Sequence, residues 1–143
     1  MENDQAAERI RRIAELYKQF DNEYWAFVTQ LHRAGRHLGI TGPSHEQQAM
    51  AELTYLGELF RIGLRLVIAG DAPLGEIYLD HVTDGASGTR QRVGEVFLDE
   101  SGKILDTPGG TVVGQIRDRD IAKHLLVTWL ERWLKASAEL KTL

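Results

Sequence analysis

Apolar residues recur at Ile10, Ile13, Tyr17, Phe20, Tyr24, Phe27 and Leu31, in steps of 3, 4, 3, 4, 3 and 4. That spacing keeps a seam on one side of a helix. No Gly or Pro interrupts it, so a long helix is predicted from about Asp4 to Arg33 or Ala34. The stretch "RAGRHLGITGPS" ends it with three glycines and a proline. Ser44 followed by Gln47 has the form of a capping box. Ala49, Leu53, Leu56 and Phe60 then supply the apolar steps of a second helix.

Beyond Phe60 the period changes. "RIGLRLVIAG" alternates, with Ile62, Leu64, Leu66 and Ile68 on one side, as a half-buried strand does. "EIYLDHV" alternates in the same way after the turn "GDAPLG". "RQRVGEVFLD", "KILD" and "TVVGQI" complete five strands, separated by "TDGASGT", "DESGK" and "TPGG". A final amphipathic helix is predicted from about Asp118 to Leu140. The expected fold is α+β over residues 1–143 as one domain: two N-terminal helices, a five-stranded antiparallel sheet built from hairpins, and a C-terminal helix.

The first helix is about twice as long as the second, so part of its seam needs another cover. Leu125, Leu126, Trp129, Leu130 and Trp133 spread over nearly half of the last helix, wider than contact with one sheet requires. Two covers are consistent with this. The last helix can close the seam within one chain, or Tyr17, Phe20, Tyr24, Trp129 and Trp133 can form the interface of a homodimer.

Composition narrows the functional classes. The chain has no cysteine, which excludes disulfides and thiolate metal sites and fits a reducing cytoplasm. Its first residues are acidic and polar, unlike a secretory signal. No apolar run is long enough to span a membrane. A net charge of −4 has the wrong sign for a nonspecific nucleic-acid coat.

The nucleotide, metalloprotease, hydrolase and EF-hand signatures are absent, and "GGTVVG" does not match the dinucleotide fingerprint. The stretch richest in chemistry is "LDHVTDGASGTRQR". His81 and Asp84 are candidate catalytic groups there, with His81 as a general base. Ser87, Arg90 and Arg92 are candidate donors to an anionic ligand. His32 and His37 are five apart, off the spacing that puts two metal ligands on one helical face, and no metal or cofactor is expected. Glu76, Asp80 and Glu95 alternate as solvent-facing residues would. Arg61 and Arg65 with Tyr78 and Phe97 offer a base-stacking platform only in outline, since acidic residues are interleaved.

The sequence therefore points first to a regulatory or adaptor protein, or an inhibitor, that binds another macromolecule, foremost a protein, as a homodimer. The alternative is a small enzyme or ligand-binding domain around His81, Asp84, Arg90 and Arg92.

Overall fold

A computed structural model describes residues 2–41, 50–84 and 88–141. Helix α1 (Glu2–Arg36) is followed by strands β1 (Met50–Tyr55), β2 (Glu58–Ala69), β3 (Ala72–Asp84), β4 (Thr89–Leu98), β5 (Lys103–Leu105) and β6 (Val112–Gln115), and then by helix α2 (Ile121–Lys141). The strands form one antiparallel sheet in the order β1-β2-β3-β4-β5-β6, each pairing with its neighbour in sequence. The fold is α+β, as expected, but among the described residues it has six strands and two helices.

The second helix is the part that differs. Ser44, Gln47 and Ala49 lie outside the described residues, while Met50–Tyr55 is strand β1 and Glu58–Phe60 begins β2. Leu56 and Gly57 join them with φ of 54° and 78°, the conformation of a two-residue hairpin turn. A leucine in the left-handed region is uncommon, which is why "YLGE" does not read as a turn. The apparent helical step from Leu53 to Phe60 arises across the hairpin, where the two residues are register partners.

Both helices lie on one face of the sheet. From that face Ala51, Leu53, Phe60, Ile62, Leu64, Ile77, Leu79, Val96 and Leu98 enter a common core with Phe20, Tyr24, Phe27 and Leu31 of α1 and Leu125, Leu126 and Trp129 of α2. The α1 seam is thus closed within one chain from Leu16 to Leu31. Phe20 and Tyr24 are 0% exposed and Trp129 is 2% exposed, while Tyr17 and Trp133 are partly buried against the same core. The Tyr24 hydroxyl also donates a 3.0 Å bond to the Ile62 carbonyl, tying α1 to β2. Beyond the sheet, α1 carries Ile10 out at 69% exposure.

A bulge in β4 decides what that strand presents. Leu79 pairs with Gly94 and Asp80 with Arg92, which leaves Val93 extra. Val93 and Gly94 are both buried toward the helices. The Trp129 indole lies so close over Gly94 that a Cβ there would collide with the ring. Glycine is required at this crossing of α2 over β4.

Candidate functional site

His81 and Arg92 line one stretch of the cleft between β4 and α2, but their side chains go to opposite faces of the sheet. His81 lies on the helix-covered face of β3, beside Phe60 at a centroid distance of 5.1 Å and Trp133 at 5.4 Å. Its Nε2 is 3.2 Å from Glu58 Oε2 on β2. Arg92 is opposite Asp80, one residue before His81, and its guanidinium therefore lies on the other face. Arg90 is exposed on β4. Ser87 lies outside the described residues, and of Asp84 only the strand position is described. Of the expected set, His81 and Arg92 border the same cleft from opposite faces of the sheet, and Arg90 lines no part of it.

The sheet's second face carries a network that sequence alternation had assigned to solvent. Arg92 Nε meets Asp80 Oδ1 at 2.6 Å, and Arg92 Nη1 meets Glu95 Oε2 at 2.6 Å and Glu76 Oε1 at 3.3 Å. Arg65 adds a 2.8 Å contact to Glu76. The Arg92 guanidinium also sits 4.4 Å from the centre of the Tyr78 ring. Glu76 is 4% and Asp80 7% exposed. Burial disfavours the charge on Arg92, but the hydrogen bond and charge of Asp80, with Glu76 and Glu95 behind them, outweigh it and raise its pKa. Tyr78 is capped by Arg92, and Phe97 is buried with Leu74 and Leu105, so neither ring is left open for a base.

The feature with binding geometry is the outer edge of β4. Its pairing to β5 is confined to Phe97 and Leu98. From Arg90 to Val96, no described strand lies on that side. Between this edge and α2 runs a groove in two joined parts, of about 390 Å³ and about 560 Å³. Val93, Trp129 and Trp133 give it an apolar floor, with Thr128, Arg132 and Ala136 along the helix. His81, Thr83 and Gln91 stand at one end. The helix residues recur every three or four positions, which places them on one side of α2. The edge was not legible in the sequence, because it depends on the short strand read at "KILD" pairing only with Phe97 and Leu98 of β4.

Two half-buried residues elsewhere each carry one buried atom without a hydrogen bond. Glu23 Oε2 on α1 has no hydrogen bond, although its other oxygen is 3.5 Å from Arg117 Nη2. Burial raises the Glu23 pKa, against the pull of Arg117. His32 Nε2 is also unbonded, and burial lowers the His32 pKa, helped by Arg36. Among the described residues, no three His, Asp or Glu side chains converge as a metal-ligand set. Among the described residues, no helix is long and apolar enough to cross a membrane. No family model matches the chain, and neither a curated protein nor a solved structure shows significant similarity to it.

Proposed function

We propose that this protein acts by binding another protein, taking an extended segment of its partner onto the outer edge of β4. The observation that carries the reading is the unpaired edge from Arg90 to Val96 beside the α2 groove. An exposed strand edge offers a row of backbone donors and acceptors and is a template for an added strand. The bulge at Val93 and the charged Arg90 and Arg92 are devices that discourage indiscriminate pairing. The groove supplies what a bare edge lacks, since side-chain pockets next to the edge give an added strand its selectivity.

The role is that of an adaptor, inhibitor or regulatory subunit. The α1 seam from Tyr17 to Leu31 is filled by the chain's own sheet, which leaves only its Ile10 end open to association. Homodimerisation in this reading would use the β4 edge instead.

Selection of random twelve-residue peptides on the immobilised protein tests the proposal. Enriched peptides should shift amide resonances of β4 and α2 in an NMR titration. Absence of enrichment, or shifts confined to other elements, would remove it.

A second reading is favoured by one contact, the 3.2 Å approach of His81 Nε2 to Glu58. A carboxylate that orients an imidazole at the end of a groove is an arrangement used for general base catalysis. Thr83 and Ser137 supply hydroxyls nearby. This reading calls for a small substrate at the His81 end. Loss of a His81 resonance shift across a small-molecule fragment screen would count against it.

A further inference from the structure

We infer that the cavity between α1 and the turn at residues 116–119 binds a small zwitterion of the α-amino acid class, with its ammonium on Glu23 and its carboxylate on Arg117 or Arg119. No described residue lines both this cavity and the β4 groove, so the two sites are separate.

The cavity measures about 380 Å³, within the size of small-molecule sites. Glu23, Ala26 and Gln30 border it from one side of α1, at helical spacing. Glu23 is the residue that calls for a ligand. Its side chain is 10% exposed, its Oε1 makes only a loose 3.5 Å pair with Arg117 Nη2, and its Oε2 has no hydrogen-bond partner. Burial keeps its pKa raised in spite of Arg117 and Gln19. A buried carboxylate short of donors is costly, and an ammonium brings three. Oε2 itself is out of reach of solvent. Rotation about χ3, a broad torsion in glutamate, exchanges it with Oε1 on the Arg117 side.

The opposite wall supplies the anion partner. The Arg117 side chain is 83% exposed and so is free to swing from Glu23 to a ligand carboxylate. Arg119 is exposed and has no ion pair among the described residues. A guanidinium takes a carboxylate through two parallel hydrogen bonds. Charge around the cavity is balanced, with Glu23 and Asp118 against Arg117 and Arg119. A ligand of one sign would face two like charges, whereas a zwitterion answers both signs and adds no net charge. An α-amino acid carries its ammonium and carboxylate on one carbon, and Glu23 and Arg117 are correspondingly adjacent. Ala26 and Ile116 leave apolar wall for the ligand's side chain.

NMR titration of the full chain with each standard L-amino acid, at up to millimolar concentration, tests the inference. At least one should shift the amides of residues 22–30 and 116–119. Its carboxamide, which lacks the carboxylate, and its deaminated acid, which lacks the ammonium, should each bind about tenfold more weakly or worse. Glu23→Gln keeps the side chain's shape and removes its charge, and should weaken the amino acid by about tenfold or more. Arg117→Ala with Arg119→Ala, both at exposed positions, should weaken it as well and narrow its advantage over the carboxamide. Should the Glu23 variant misfold, the arginine variant and the two analogues carry the test. Absence of shifts with every amino acid, or shifts confined to other residues, would overturn the inference. Equal binding of the amino acid and either analogue would overturn it too, since the site would then read at most one of the two charges.

Discussion

Arg92 and Glu95 are three residues apart on one strand, yet their side chains meet at 2.6 Å on the same face of the sheet. A regular strand would put them on opposite faces. The extra residue at Val93 restores them to one side and turns Val93 inward, so the bulge builds the ion network and the groove floor together.

Arg92 is shared among Asp80, Glu76 and Glu95, so its removal leaves two buried carboxylates with reduced compensation. Arg92→Ala should destabilise by about 2 to 3 kcal/mol, below the figure for a wholly buried pair because the guanidinium retains solvent. Arg65→Ala, whose side chain is 60% exposed, should cost less than about 1 kcal/mol. Urea denaturation of both variants checks the contrast, and equal small losses would mean that Arg92 is not the hub.

Gly94→Ala should destabilise by about 2 to 3 kcal/mol, because the new methyl collides with the Trp129 ring that fixes α2 over β4. Adding Trp129→Leu should recover part of that loss in a double-mutant cycle, since the two sites are in contact. Strictly additive losses would show that the collision is relieved in another way.

Tyr24→Phe should cost about 1 kcal/mol by removing the hydroxyl's bond to the Ile62 carbonyl. Thermal unfolding of the variant measures it, and an unchanged midpoint would mean that the bond adds nothing to the packing of α1.

Glu23 and His32, each with one buried atom left without a hydrogen bond, give opposite pH slopes. Glu23 has a raised pKa when folded, so in the range above its ordinary value of 4.5 the folded state holds the proton more firmly and stability falls as pH rises. Glu23→Gln should therefore gain more stability at pH 7 than at pH 4. His32 has a lowered pKa when folded, so stability falls as pH drops below its ordinary 6.5, where the unfolded chain binds the proton first. His32→Gln should flatten that acid-side decline. Denaturation midpoints from pH 4 to pH 8 test both signs.

The readable parts of the sequence were those governed by one local period. The α1 seam and the alternation of Ile62 and Leu64, and of Ile77 and Leu79, lead directly to the elements observed. The hairpin at Leu56 and Gly57 was hidden because its turn uses an uncommon leucine conformation, and because residues paired across it mimic a helical step. The candidate site fared differently. His81 sits on the inward face that alternation assigns it, but the same alternation separates it from Arg92. The groove depends on the bulge at Val93 and on β5 pairing only with the end of β4, neither of which a single strand's pattern carries.

Amide hydrogen exchange along β4, resolved by NMR with and without a twelve-residue peptide enriched by selection on the protein, tests the central claim most directly. The account predicts that, between Arg90 and Val96, amides bonded to β3 are protected in the free protein while those facing outward exchange fast. Added peptide should slow the outward set selectively. Protection of every β4 amide before any peptide is added, or an outward set untouched by saturating peptide, would contradict it.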